Sequence, residues 1–208
     1  MYKIGGMFDL KFSTGKVRQG YIGLYFEPSA IIEQLQEKID PYHLRPTQIN
    51  SHAFPIERNL HCSILQNIHK NISKEVISTL CAAYIDGLYA AQYRLHNLSL
   101  FENLEGTGAN GVPFHYDVLK FDLDAPIVLD LHETLALRLQ EYHNHAFSFE
   151  NYHPHITIAF VKPNSSGFLL EDYKDLEIDL RAKSLKYKCK DRKATLETLF
   201  DLEATLSF

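Results

Sequence analysis

Along the chain, short runs of alternating apolar and polar residues are separated by stretches where apolar residues recur every three or four positions. The first pattern is that of half-buried strands and the second that of helices with one buried face. A short strand at 7–12 and a turn at Ser13-Thr14-Gly15-Lys16 open the chain. Tyr21-Ile22-Gly23-Leu24-Tyr25-Phe26 follows as a strand, with Ile22, Leu24 and Phe26 on one face and Tyr21, Gly23 and Tyr25 on the other. Pro28 starts a helix, since proline suits the first helical turn. Ile31, Leu35 and Ile39 line its inner side, with Ile32 beside them. Pro41, Pro46 and Pro55 break the connection to a strand at 60–65.

A helix from about Ser73 to Ile85 turns Val76, Ile77, Leu80 and Tyr84 inward, with Gly87 as its stop. Strands at 92–103 and 115–124 flank the glycine-rich run 105–111. In the second of them Leu119, Phe121 and Leu123 share one face, and Val118, Lys120 and Asp122 the other. Pro126 opens a helix carrying Ile127, Leu131, Leu135, Leu139 and Tyr142 at one-turn intervals. A strand at 152–160, a short helical piece near 168–173, and strands at about 176–181 and 184–189 follow. The alternating end, 200–208, is a last strand with one wet face.

The order strand, proline, helix, connection, strand occurs twice, and both final strands carry the triplet His-x-(Ser/Thr): His61-Cys62-Ser63 and His155-Ile156-Thr157. This repeat of layout predicts two lobes related by a pseudo-twofold. At 208 residues the chain reads as one domain. One lobe spans roughly 20–100 and the other roughly 115–165, and the C-terminal strands complete the sheets. His61 and His155 then face each other across a central cleft.

Period-two alternation places His61 and Ser63 on one face, against Leu60, Cys62 and Ile64 on the other. His155 and Thr157 share their face with His153, against Ile156, Ile158 and Phe160. A strand that only packed would not set an imidazole beside a hydroxyl twice. A pair of histidines titrates near neutrality, so one can accept a proton while the other donates one. Face counting adds Tyr21 and Tyr25 as groups to stack a base, and Lys120 and Lys162 as anion contacts. His153, on the face of His155, is a candidate supporting residue.

Composition narrows the partners. A formal net charge of −5 argues against binding duplex nucleic acid, which needs a broad basic field. It leaves room for a small anionic nucleotide in a local pocket. Three cysteines without metal-type spacing point to a reduced, cytoplasmic setting. The N-terminus lacks the apolar core of a signal peptide, and no apolar run is long enough to span a membrane. His143, His145, His153 and His155 crowd together, yet no cysteine or carboxylate stands at a familiar ligand spacing, so no metal or other cofactor is expected. The run Gly106–Gly111 lacks the Gly-Lys-(Ser/Thr) ending of a phosphate loop and joins two strands as a hairpin connection. The oligomeric state is not encoded in any feature of the sequence.

The two triplets in this layout, from about Tyr21 to Val161, resemble the 2H phosphoesterase superfamily. Leu60-His61-Cys62-Ser63-Ile64-Leu65 and the run Tyr152-His153-Pro154-His155-Ile156-Thr157-Ile158-Ala159-Phe160-Val161-Lys162-Pro163 are most similar to its phage-associated members. Those include anti-CBASS enzymes, which destroy cyclic oligonucleotide signals of bacterial defence. The first triplet departs mildly, with Ser63 where threonine is common. The resemblance implies a bilobal 2H phosphoesterase-like α+β fold, no metal, and phosphodiester cleavage beside a ribose 2′-hydroxyl. His61, Ser63, His155 and Thr157 would be catalytic. Within the family, chemistry on RNA 2′,3′-cyclic phosphates or 2′–5′ linkages is an alternative. Outside enzymes, the alternative is a sponge that binds nucleotides without cutting them.

Overall fold

The computed structural model describes residues 20–45, 55–107, 112–142, 152–189 and 196–203. The strand expected at 7–12, the turn at 13–16, residues 108–111, His143, His145 and residues 204–208 lie outside this set.

Two four-stranded antiparallel sheets form the frame. In the first, β1 (Gly20–Phe26) lies between β2 (His61–Ile68) and β7 (Ala182–Lys188), with β8 (Leu196–Asp201) beyond β7. In the second, β4 (Pro113–Asp124) lies between β5 (His155–Val161) and β3 (Tyr93–Thr107), with β6 (Ile178–Leu180) beyond β3. Helices α1 (Ala30–Glu37), α2 (Lys74–Ala82), α3 (Ile85–Ala90), α4 (Pro126–Arg138) and α5 (Gly167–Asp172) complete the α+β architecture. No helix among the described residues is long and apolar enough to cross a membrane. Each motif strand is an edge strand, and β2 packs beside β5. The two sheets therefore meet where the two triplets lie.

The alternating faces behave as the pattern dictates. Ile22, Leu24, Phe26, Cys62 and Ile64 are buried from the first sheet, and Leu119, Phe121, Leu123, Ile156 and Ile158 from the second. β3 is bulged at Asn97 and Asn103, both with positive φ, at the two points where its register with β4 slips. Aspartates on β4 hold these bulges. Asp122 accepts from Asn97 Nδ2 at 2.5 Å and the buried Asp117 accepts from the Asn103 amide at 2.7 Å. Bulges of this kind increase local twist and curl the sheet.

Several expectations need correction. β3 pairs with β4 and belongs to the sheet of the second triplet, so the first lobe does not run to residue 100. Continuous sequence misled here because β7 and β8, from the far end of the chain, fill that place in the first sheet. Val76 is 48% exposed, and Ile77 with Cys81 four residues on takes the inner stripe of α2. Ile31 is likewise exposed, and α1 faces inward with Ile32, Leu35 and Gln36. Gly87 ends no helix. It sits inside α3, where a Cβ would come within 3.0 Å of Ile127 on α4, so glycine permits the close approach of the two helices. The last strand starts earlier than expected, at Leu196.

Each helix that follows a central strand ties the opposite half. The seventh residue of α1, Gln36, is buried, and its amide donates to the Ile158 carbonyl on β5 at 3.1 Å and to the Glu57 carbonyl at 2.7 Å. The seventh residue of α4, His132, is also buried, and its Nδ1 donates to the Ile64 carbonyl on β2 at 2.6 Å. Ile64 and Ile158 each stand three residues past a triplet histidine. The pseudo-twofold thus extends to individual hydrogen bonds. Removing either donor takes one hydrogen bond from a buried carbonyl, that of Ile158 keeping the Glu57 amide at 3.0 Å, which costs about 0.5–1.5 kcal/mol. Gln36→Leu, and His132→Phe with its ring retained, should each lower stability by that amount in urea denaturation. A midpoint unchanged in both variants would show that these bonds do not hold the halves together.

Candidate active site

Register sets the two walls. On the first, His61 stands opposite Tyr25 and Ser63 opposite Gly23. On the second, His155 stands opposite Asp122 and Thr157 opposite Lys120. All four triplet side chains are half-buried. β2 and β5 lie side by side, so the two triplets stand on neighbouring strands. Behind them, the His155 amide reaches the Cys62 sulfur, and the Tyr152 hydroxyl donates to the Ser63 carbonyl at 3.0 Å. Burial pushes the Cys62 thiol up to about 11, which leaves it a packed, unreactive group.

Both imidazoles are oriented in the same way. His61 Nδ1 lies 2.8 Å from the Asn59 carbonyl, and His155 Nδ1 lies 2.8 Å from the His153 carbonyl. A carbonyl only accepts, so Nδ1 carries a hydrogen in each bond. In the neutral ring Nε2 then holds the lone pair, ready to take a proton, and in the charged ring Nε2 has one to give.

The surroundings differ between walls. The Tyr25 ring stacks on His61 with centroids 5.1 Å apart and planes 16° apart, and Phe101 meets His155 edge-on at 4.9 Å. Lys120, buried on the second wall, donates to Ser99 Oγ at 2.9 Å and forms an ion pair with Asp122. Burial by itself would raise the Asp122 carboxyl, but the hydrogen bonds from Lys120 and Asn97 outweigh it and hold it below the ordinary range. Burial also depresses His155 below the ordinary histidine value. The His153 carbonyl and Asp122 pull it back up, while Lys120 and His61 push it further down.

The remaining candidates are distributed as follows. Tyr21 and Tyr25 lie on the cleft face of β1, their hydroxyls 2.5 Å apart. Tyr25 is only 7% exposed, with His61 against it from β2 and the Lys186 ammonium 4.5 Å from its ring centroid from β7. That leaves it no open face on which a base can stack, and of the two only Tyr21 retains partial exposure. Lys120 faces the cleft, but its ammonium is engaged by Asp122 and Ser99, so its charge reaches the site through His155. His153 is exposed and contributes its carbonyl to the site rather than its imidazole. Lys162 is not brought to the triplets. It alternates onto the face of Phe160, opposite to Thr157, and its ammonium sits 3.7 Å over the Tyr42 ring.

Asn59, Phe101, Ser99, Asn97 and Lys186 border the site without having been expected there. The Asn59 carbonyl had a signal, since it precedes its histidine by the same two residues as His153. Lys186 had none, because only strand order brings β7 beside β1.

No protein-family model matches the sequence, and comparison with curated protein sequences finds no match. Among solved structures the chain is similar to Usb1 of Kluyveromyces marxianus with uridine monophosphate, at 11% identity over 88% of this chain and 97% of that one, with a TM-score of 0.43. It is also similar to LigT of E. coli with NADP+, at 15% identity over 88% and 96% and a TM-score of 0.40. A third structure, of a phosphoesterase, gives 13% identity over 89% and 97% and a TM-score of 0.37. At this level the likenesses add nothing to what the cleft's own residues say.

The charge arrangement yields a titration. The His155 ring, followed by NMR, should protonate below the ordinary value of about 6.5. In Lys120→Gln the repulsion is gone and Asp122 loses its partner, so both changes move the midpoint up. A midpoint that stays or falls would remove Lys120 from the account.

Proposed function

We propose that the protein is a metal-independent phosphodiesterase of the 2H phosphoesterase type that cleaves small cyclic or 2′-hydroxyl-bearing nucleotides. Cyclic oligonucleotide signals, as destroyed by the phage anti-CBASS enzymes it resembles in sequence, are the substrate class. One observation carries the reading. Two His-x-hydroxyl triplets stand on neighbouring strands, each histidine held through Nδ1 so that its Nε2 is the group left to move protons.

The chemistry divides between the walls. His155 is kept neutral by burial and by Lys120, so its Nε2 takes the proton from a ribose 2′-hydroxyl. The 2′-oxygen forms its bond to phosphorus as the bond to the leaving 5′-oxygen breaks, and His61 Nε2 gives that oxygen its proton. The products are a 2′,3′-cyclic phosphate and a free 5′-hydroxyl. A 2′-hydroxyl tethered beside the phosphorus makes attack intramolecular, which removes most of the entropic barrier. Ser63 and Thr157, two residues beyond each histidine, donate to the non-bridging oxygens as charge builds on them. Two positioned proton carriers account for both transfers, and no step requires a metal.

Incubation with cyclic di- and trinucleotides, a 2′–5′ oligoadenylate and a 2′,3′-cyclic mononucleotide tests the reading. Cleavage of a cyclic oligonucleotide should persist in EDTA and cease when the 2′-hydroxyl is replaced by hydrogen. His61→Ala and His155→Ala should each lower kcat by about 10²–10⁴. In the pH profile, the acid limb set by His155 should fall below about 6.5. Cleavage of the 2′,3′-cyclic mononucleotide alone would move the reading to RNA-end chemistry, and tight binding without product would make the protein a sponge.

A further inference from the structure

The cleft face of the first wall continues past the triplet onto β7, and the groups there have no part in the proton transfers. We infer that Lys186 on β7 forms a second phosphate subsite, which takes a phosphate one nucleoside removed from the scissile one. This inference rests on the phosphodiesterase reading and narrows its substrates to those with at least two phosphates.

Register places Lys186 directly opposite Gly23, and Gly23 directly opposite Ser63. Lys186 and Ser63 therefore share a face, on either side of β1 and two strand spacings apart, about 10 Å. The side chain leans toward the triplet, not away from it. Its ammonium is 4.5 Å from the Tyr25 ring centroid, and that ring is 5.1 Å from His61, so it lies no farther from the imidazole than those two distances combined. One nucleoside spans such a gap.

Gly23 keeps the path between them low. A Cβ there would lie 3.3 Å from the Tyr21 ring and 3.4 Å from the Tyr25 ring. Without it both rings fold down over the strand and join through their hydroxyls. The tyrosines form a floor with His61 at one side and Lys186 at the other.

Among the described residues Lys186 meets the Tyr25 ring and forms no ion pair. The ion pairs of the described residues use Lys74, Arg94, Lys120, Lys174, Arg181 and Lys183, not Lys186. Two carboxylates of this region have partners of their own. Glu57 faces the tyrosines from the β2 side and accepts from the Asn59 amide, and Asp201, on β8 opposite Ser184, accepts from the Glu203 amide. Lysine is disfavoured in strands, all the more on an interior strand such as β7. Yet Lys186 and Lys188 occupy alternate positions on this face, with Leu185 and Tyr187 buried on the other. A concave, half-buried cation of this kind suits a phosphate, which lysine binds as a point charge.

The test uses dinucleotides of adenosine and of uridine with one internal 3′–5′ linkage. Each is prepared without a further phosphate, with a 5′-terminal phosphate, and with a 3′-terminal phosphate. The unmodified protein should favour one doubly phosphorylated form about tenfold in kcat/KM. Lys186→Gln should abolish that preference and Lys186→Arg retain it. Loss of one phosphate contact should also flatten the dependence of log affinity on log salt by about 0.7. Equal kcat/KM for all three forms, or a preference that survives Lys186→Gln, overturns the subsite. If no dinucleotide is cut, the phosphodiesterase reading is decided by the cyclic oligonucleotides alone. Calorimetry of the uncut doubly phosphorylated forms then decides the subsite: binding about tenfold weaker in Lys186→Gln supports it, and equal binding overturns it.

Discussion

The cleft depends on hydrogen bonds that cross from each half of the molecule to the edge strand of the other. Gln36 on α1 reaches the Ile158 carbonyl on β5, and His132 on α4 reaches the Ile64 carbonyl on β2. A shift of either edge breaks its buried bond, although the Ile158 carbonyl also accepts from the Glu57 amide at 3.0 Å. Tyr152 adds a third bond, to the Ser63 carbonyl, with His132 stacked on its ring at 3.7 Å. These bonds fall on the very strands that carry the triplets, within three residues of each histidine. The separation of the two imidazoles is thus fixed by backbone contacts close to them and owes little to the rest of the sheets.

Within this near-symmetric frame the chemistry is unsymmetric. Both histidines use the same device, a bond from Nδ1 to the carbonyl two residues back, which makes their rings equivalent in orientation. What surrounds them is not equivalent. His155 has a buried cation nearby and an aromatic edge, and His61 has a stacked tyrosine. Proton transfer in both directions at one pH needs such a difference, since two rings in identical settings would compete for the same protonation state. The repeated layout gives the rings like orientations, and the unlike neighbours on β1 and β4 give them unlike settings.

Much of the frame could be read in the sequence because period and breaker residues speak for it. The strand faces of Ile22, Leu24 and Phe26, the opening of α4 at Pro126, and the pairing of the two triplets in one repeated layout all follow from spacing. What could not be read was partner choice between distant strands. Nothing local tells β7 to lie beside β1, so Lys186 was invisible as a neighbour of the site, and β3 was assigned to the wrong sheet. Polar residues in buried stripes were hidden for a related reason. Gln36 and His132 sit at helix positions that periodicity marks as inner, but their value lies in carbonyls on strands far along the chain.

An edge strand is ordinarily a liability, since its free amide and carbonyl groups invite another chain. Here that liability is what makes the site possible. A central strand would have both sides occupied by neighbours, and a facing copy of the triplet could not come close. With β2 and β5 at the edges, the two motif strands can approach each other directly, their loose backbone groups taken up by side chains from the opposite half. Beyond the triplet, the outer side of β5 is closed by bridges to Leu44 and Ile56 from the connection between α1 and β2. That connection, broken by prolines in the sequence, therefore has a structural task. It pairs with the outer edge of β5 at Ala159 and Val161, beyond His155 and Thr157.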